Sequence, residues 1–176
     1  MKAKIPRGNR GMAFESLINM TNTMYENQSI AIINKRPTPV KIMKREANRI
    51  YGYLERPSTV DYDGHYRQRG IAFEAKSVAE GDRLDLSNVA SHQVTYLGKC
   101  HYVGNAIAFL IVAFEAHRKV FMLPYPVLET FWKRQMDGIR GTKSIHILEM
   151  EREGFEVRSG KVPLDYLSVV DKVWGL

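Results

Sequence analysis

The stretch GIAFEAKSV, residues 70–78, predicts the strand around which the rest of the protein folds. Its apolar and charged residues alternate with the period of a β-strand, so Phe73 and Ala75 point to one face and Glu74 and Lys76 to the other. Buried or cleft-lining charge is uncommon without a partner or a metal ion. The stretch therefore indicates a core strand that also carries a functional site.

The stretch before it, STVDYDG at residues 58–64, contains an acidic side chain that could join this site. Its Asp-Gly pair is a strong turn signal, but a turn there would leave Asp61 roughly 26 Å from Glu74 at about 3.3 Å per residue. A turn at residues 67–69 instead sets Asp61 opposite Glu74, and all the charged side chains on one face. We expect this second register, with Thr59 opposite Lys76.

Gly64 is then left inside a strand and not in a turn. A glycine in that position indicates a bulge or a close approach of a neighbouring backbone.

Two carboxylates and a lysine in this arrangement suit phosphodiester hydrolysis. Mg²⁺ is commonly held by one or two carboxylates, with water and phosphate oxygens completing its shell. A divalent cation polarises the scissile phosphate and activates water. A nearby ammonium such as that of Lys76 then stabilises the charge that develops on the phosphate. An Asp at this spacing before Glu-x-Lys also occurs by chance. The alternative is that these charged residues form an ordinary solvated face of a strand.

The remaining pattern predicts a single α/β domain over residues 1–176, with a mixed central sheet flanked by helices. Asn9 is the expected cap of the first helix. We expect helices at residues 10–24, from Ser87 or Asn88 to 101, at 127–136 and at 164–173. We expect strands at residues 29–34, 58–67, 70–78, 106–114, 120–123 and 144–150.

Residues 40–56 form a basic segment with tyrosines and too few apolar residues for a core layer. Prolines bracket it at Pro39 and Pro57, and prolines interrupt regular structure. We expect a stalk that projects from the domain, the alternative being a plain solvated hairpin. Its candidate DNA-binding residues are Lys41, Lys44, Arg45 and Arg49.

The composition favours an anionic partner and a reducing compartment. The net charge is +7 and the pI about 9.5, values typical of nucleic-acid binding and less often of an anionic membrane surface. Cys100 is the only cysteine, so no intrachain disulfide or thiolate cluster can form. With no leader and no apolar run long enough to span a bilayer, we expect a cytoplasmic protein.

Other catalytic classes find little support in the sequence. The five histidines show no zinc-ligand spacing, and neither a nucleophile elbow nor a phosphate-binding Gly-x-x-x-x-Gly-Lys loop is present. Phe131, Trp132 and Trp174 have apolar neighbours and are interpreted as core or dimer contacts.

Five blocks, in order along nearly the whole chain, resemble the RecU family of Holliday-junction resolvases. They are NRGMAFE at 9–15, KRPTPV at 35–40, STVDYDG at 58–64, FEAK at 73–76 and HQ at 92–93. The resemblance implies a type II restriction endonuclease-like fold, a homodimer, four-way branched DNA as substrate and Mg²⁺ as cofactor, which Mn²⁺ could replace.

The resemblance also implies roles for individual residues. The positions that bind or orient the metal in that family correspond here to Thr59, Asp61, Glu74 and Gln93. The family's lysine that stabilises the transition state corresponds to Lys76. Two basic positions that the family uses in junction binding or processing correspond to Arg10 and Lys35. The long N-terminal extension of many relatives is absent from this sequence, and segment 40–56 is shorter than the usual stalk, which bears on substrate handling more than on chemistry.

Two rival functions remain open at this point. One is a nuclease of the same fold that cuts ordinary duplex DNA, and the other is a basic recombination accessory protein with a vestigial metal site. The basic segment and the ordered blocks favour the junction enzyme, with recombinases or branch-migration proteins as further partners. Intact Asp61, Glu74 and Lys76 argue against a vestigial site.

Overall fold

The computed structural model describes residues 7–55, 58–138 and 141–176, with side chains from residue 12 onward. Within these ranges the chain forms α1 (Arg7–Asn27), α2 (Ser91–Tyr102), α3 (Tyr125–Met136), α4 (Ile147–Glu153) and α5 (Tyr166–Trp174). The strands are β1 (Ala31–Lys35), β2 (Val40–Glu46), β3 (Arg49–Leu54), β4 (Tyr62–Tyr66), β5 (Arg69–Val78), β6 (Arg83–Asp85), β7 (Ile107–Phe114), β8 (Lys119–Pro124), β9 (Ser144–His146) and β10 (Phe155–Val157). No helix in the described ranges is long and apolar enough to cross a membrane.

The central sheet is mixed, as the sequence predicts. Its six strands follow the order β1-β4-β5-β7-β8-β10. The pair β5 and β7 is parallel, and every other neighbouring pair in this sheet is antiparallel. The α/β class with a mixed sheet flanked by helices is therefore confirmed.

Two apolar layers cover the two faces of this sheet. On one face, α1 and α5 pack around a stack of three rings in which Phe73 lies between Tyr62 and Phe109, with centroids 4.8 and 4.7 Å away. On the other face, α2, α3 and α4 cover a second cluster that includes Ala72 of β5 and Leu97 of α2. Strand β5, which carries Glu74, is thus held between two layers.

The register of β4 and β5 agrees with the predicted turn. Arg67 and Gln68 have φ values of 46° and 61°, the left-handed pair of a two-residue type I′ turn. The ladder runs from Tyr66 opposite Arg69 to Tyr62 opposite Phe73. Asp61 and Glu74 therefore face each other one step beyond its last pair.

Gly64 marks the close backbone approach that its place inside a strand suggests. A Cβ added there would lie 2.0 Å from the carbonyl oxygen of Ile32 on β1. Because that oxygen belongs to the backbone, it cannot swing away, and only glycine lets β1 and β4 pair so closely.

Four sequence predictions are wrong in detail. Strand β4 begins at Tyr62 and not at residue 58, because side chains of the site replace the ladder bonds there. Residues 147–150 are helical, because the ring of His146 accepts a bond from the Leu148 amide at 3.1 Å and caps α4.

The two other corrections concern helix starts. Helix α1 begins at Arg7, so Asn9 lies in its first turn and not at its cap; the stretch from Arg7 contains no proline that would stop helical bonding there. Asp85 caps a separate short 3-10 turn, and α2 begins only at Ser91.

Segment 40–56 contains an antiparallel hairpin of β2 and β3 that forms its own sheet. All residues of both strands are exposed. The pairs Lys41 with Tyr53 and Lys44 with Tyr51 bracket a register shift. Tyr51 and Tyr53 are two residues apart and share one face of the hairpin, and the extra residue at the shift keeps Lys41 and Lys44 opposite them.

Candidate active site

Two carboxylates meet where β4 would continue past Tyr62. The backbone N–H of Asp61 donates to Oε2 of Glu74 at 3.1 Å, and the N–H of Ala75 donates to Oδ2 of Asp61 at 3.1 Å. Each carboxylate thus takes a bond that a strand partner would otherwise make. The predicted juxtaposition of Asp61 and Glu74 is present in the structure.

Glu74 is almost fully buried, with 1% of its side chain exposed. Its Oε1 accepts from Nζ of Lys76 at 2.7 Å and from Nε2 of Gln93 at 2.6 Å. Burial, and next the nearby Asp61 carboxylate, raise the pKa of Glu74 from 4.5 to about 7, although the Lys76 ammonium acts in the opposite direction. A carboxylate with this pKa is poised to exchange its proton for another positive charge at neutral pH.

Gln93 reaches the site because of its place on α2. As the third residue of that helix it accepts from the Ala90 N–H through Oε1 at 2.9 Å, while its amide nitrogen donates to Glu74. The carboxamide is therefore oriented from both ends. Sequence periodicity alone would leave Gln93 on a solvated helix surface; the resemblance was the signal that found it.

Thr59 lies beside the site but faces a residue that the sequence interpretation missed. Its hydroxyl accepts from Nη1 of Arg36 at 2.5 Å. The same guanidinium donates to the hydroxyl of Tyr96 at 3.1 Å and pairs with Asp63 at 3.2 Å. The only sequence signal for Arg36 was its place among the basic residues that follow β1.

The donor set fits a hard divalent cation. Asp61 and Glu74 place two carboxylates side by side. In the described ranges no three His, Cys, Asp and Glu side chains gather closely enough to hold a metal. A cation here would therefore combine two carboxylates with neutral oxygens, water and phosphate, the pattern that Mg²⁺ prefers.

The predicted DNA-binding residues are distributed over two places. The Lys35 ammonium, at the end of β1, pairs with the carboxylate of Glu15 on α1. Lys41, Lys44, Arg45 and Arg49 all lie on the exposed hairpin, where Lys44 pairs with Glu46. Arg10 lies within α1, but its side chain is outside the described residues.

The aromatic residues of α3 and α5 pack as expected of core side chains. Phe131 is buried, and Trp132 and Trp174 are partly buried against the two apolar layers. Whether any of them also contacts a second subunit stays a prediction.

Comparison with known proteins gives consistent relatives. A protein of Staphylococcus aureus strain JH9 named Holliday junction resolvase RecU is 39% identical over 178 residues, covering 97% of this chain and 84% of the relative. The protein of the same name from Staphylococcus saprophyticus is 35% identical with the same coverage. Among solved structures, Archaeoglobus fulgidus Hjc, described as a Holliday junction resolvase from an archaeal hyperthermophile, is 14% identical, with a TM-score of 0.46 over 79% of this chain and 94% of that one.

The family profile for Recombination protein U matches residues 9–172, nearly the whole chain. Its span includes all five ordered blocks and every element from the main part of α1 to the main part of α5. The family that the five blocks resemble is thus the family that the profile matches. The chain belongs to the RecU (Recombination protein U) family.

Proposed function

We propose that this protein is a divalent-metal-dependent endonuclease that resolves Holliday junctions during homologous recombination and DNA repair, with Mg²⁺ as its cofactor. The observation that carries the proposal is the pairing of Asp61 with Glu74 beside Lys76, in a chain whose relatives are named Holliday junction resolvases. Burying the Glu74 carboxylate costs desolvation free energy, and a site without a function would gain nothing in return.

Asp61 and Glu74 are the residues proposed to hold the cation, with Thr59 and Gln93 completing and orienting its surroundings. The cation, when bound, polarises the scissile phosphate and lowers the pKa of water. Gln93 fixes the plane of the Glu74 carboxylate through its amide. Lys76, with 21% of its side chain exposed, places its ammonium beside Glu74 and open to solvent, where it can contact a phosphate oxygen.

Substrate selection is assigned to the basic residues. Phosphate contacts supply most of the affinity of a protein for DNA, and the net charge of +7 provides for them. In this proposal Lys35, Arg10 and the hairpin residues Lys41, Lys44, Arg45 and Arg49 contact the junction. The hairpin projects as a stalk from a single nuclease domain toward the junction centre, where phosphates crowd together.

A four-way junction has approximate two-fold symmetry, which a homodimer of C2 symmetry would match. Each subunit would then place one active site on one of two opposed strands, and paired nicks would release two duplexes. The same setting makes recombinases and branch-migration proteins natural partners in the cytoplasm.

One assay tests substrate class and chemistry together. Labelled four-way, three-way and linear duplex DNA are incubated with the protein in Mg²⁺, in Mn²⁺ and in EDTA. We expect symmetric nicks in the four-way junction with either cation and none in EDTA. Equal cutting of linear duplex would indicate an ordinary nuclease of this fold, and binding without cutting in any cation would indicate an accessory protein.

A further inference from the structure

Arg36 directly follows β1, and its side chain bridges the two parts of the chain that form the site. Its backbone N–H donates to the carbonyl of Asp61 at 2.8 Å, so the main chain of Arg36 already fixes the main chain of an active-site residue. The side chain then turns over the same segment to reach the hydroxyl of Thr59. Two independent contacts hold residues 59–61 against the end of β1.

The guanidinium nitrogen that bonds Thr59 also contacts α2. Nη1 donates to the hydroxyl of Tyr96 at 3.1 Å, and the guanidinium carbon lies 5.5 Å from the centre of the Tyr96 ring. Tyr96 stands three residues after Gln93, and residues at this spacing share a helix face. Arg36 therefore joins the Thr59 side of the site to the helix that presents Gln93.

Arg36 also neutralises a carboxylate on the active-site face. Its Nε lies 3.2 Å from Oδ2 of Asp63, with about a third of each side chain exposed. Asp63 pairs with Ala72 of β5, which is two residues before Glu74, so Asp63 lies on the same face of the sheet as Glu74. Without Arg36, a third negative charge would be unpaired beside Asp61 and Glu74.

We propose that Arg36 is a positioning residue of the active site, whose side chain sets the affinity for the cation by holding Thr59, two residues before Asp61, to β4 and α2. The inference rests on the proposed function, because it takes Thr59 and Asp61 as part of the cation site. In this proposal Arg36 acts through Thr59 and not by contact with the cation or the phosphate. Its effect comes from the planar fork of donors, which an ammonium at the end of a flexible stem cannot reproduce.

The variant Arg36→Lys tests this, because it keeps the charge and removes the fork. Mn²⁺ binding to the DNA-free protein is measured by titration calorimetry, and junction affinity is measured separately in EDTA. We expect Mn²⁺ affinity to fall about tenfold or more, the usual effect of removing a partner that orients a ligand. Junction affinity in EDTA should stay within about twofold, since phosphate contacts depend on charge and the charge is retained.

A milder variant and a matched control accompany it. Tyr96→Phe removes one acceptor of the fork and should weaken Mn²⁺ binding in the same direction by a smaller factor. Arg152→Lys, on α4, alters an exposed arginine whose ion pair within the described part of the chain is with its neighbour Glu153, and it should leave both affinities unchanged. Thermal unfolding of each variant shows whether it is folded.

The outcomes separate this inference from the proposal on which it rests. Wild-type Mn²⁺ affinity in both Arg36→Lys and Tyr96→Phe would overturn the clamp while leaving the nuclease intact. Loss of junction affinity with unchanged Mn²⁺ affinity would also overturn it and make Arg36 a DNA contact. A wild-type protein that neither binds Mn²⁺ nor cuts the junction would overturn the proposed function, and the clamp with it.

Discussion

The buried carboxylate of Glu74 accepts three hydrogen bonds, yet its pKa is raised. Burial and the Asp61 charge favour the protonated form more strongly than Lys76 favours the ionised one. The side chain is thus held in place by donors while it carries an electrostatic cost at neutral pH. Such a cost is reasonable in a site that a cation will enter.

This conflict predicts how the metal-free protein responds to pH. Between about pH 4.5 and about pH 7 the native state retains a proton on Glu74 that the unfolded chain has already released. The contribution of Glu74 to stability therefore falls as pH rises through that window and levels off above it. Urea unfolding in EDTA across the window checks this, with Glu74→Gln as the control that should lose this part of the slope. An unchanged slope in that variant would assign the effect to another group.

A second prediction separates binding from cutting. Asp61→Asn and Glu74→Gln should each abolish strand cleavage, because each removes a charged oxygen ligand from the proposed cation site. Junction affinity in EDTA should remain, because it comes mainly from Lys and Arg contacts to phosphates. Gel-shift and cleavage assays on the same preparations measure both. Parallel loss of the two activities would argue against the assigned roles.

Lys76 is predicted to act on the reacting phosphate. Lys76→Ala should lower the single-turnover cleavage rate by roughly 10²-fold or more, as removal of one donor to a developing oxyanion does. Because Lys76 also bonds Glu74, the assay is run at saturating Mg²⁺ to separate rate from metal affinity. A wild-type rate at saturating Mg²⁺ would mean that the role of Lys76 is structural only.

At the scale of elements, the sequence predicts best where one pattern acts alone. The all-buried β7 and the alternating β5 follow directly from their apolar periodicity, and the β4–β5 register follows from the need to join Asp61 with Glu74. The strand predicted at residues 147–150 was wrong because His146 caps a helix there, and histidine is not a common capping residue.

The site residues, too, could be predicted from the sequence only where a single local pattern marks them. Asp61, Glu74 and Lys76 could be found from spacing on strands, and Gln93 only from the family resemblance. Arg36 could not be found, because its role depends on contacts with Thr59, Asp63 and Tyr96, which are 23 to 60 positions away in sequence. Long side chains that join separate elements leave no periodic trace.

The β2–β3 hairpin is the element whose function is most open to test. Replacing residues 40–56 by a short Gly/Ser turn should spare the fold, because all residues of the two strands are exposed and the hairpin pairs only with itself. Nonspecific duplex affinity should largely remain, but the preference for four-way over linear DNA should be lost. Competition binding at two salt concentrations measures this, since salt changes the charge contribution and not the shape.

A matched variant distinguishes shape from charge in that hairpin. Changing Lys41, Lys44, Arg45 and Arg49 to Gln keeps the two strands and removes their cations. If the hairpin reads shape, this variant should lower all affinities and the salt slope but keep part of the preference for four-way DNA. A hairpin deletion that keeps the original preference at both salts would show that this segment does not recognise the junction.

At the scale of the whole molecule, the prediction concerns symmetry. One chain carries one set of Asp61, Glu74 and Lys76, while resolution requires two nicks on opposed strands. A C2 dimer supplies the second set at a fixed separation, and C2 is the commonest closed symmetry. Sedimentation at micromolar concentration should therefore show a dimer, and a stable monomer that still nicks opposed strands in concert would contradict it.

Mixed dimers make the test sharper than mass alone. When wild-type and Glu74→Gln subunits are mixed equally and allowed to exchange, roughly one quarter of C2 dimers should carry two intact sites and roughly half should carry one. Dimers with one intact site should nick a single strand, so nicked junctions should accumulate while paired cuts fall to about a quarter of the wild-type yield. The control mixes wild type with Arg152→Lys and should keep full resolution. Paired cuts that fall only to about half would mean that each subunit works alone.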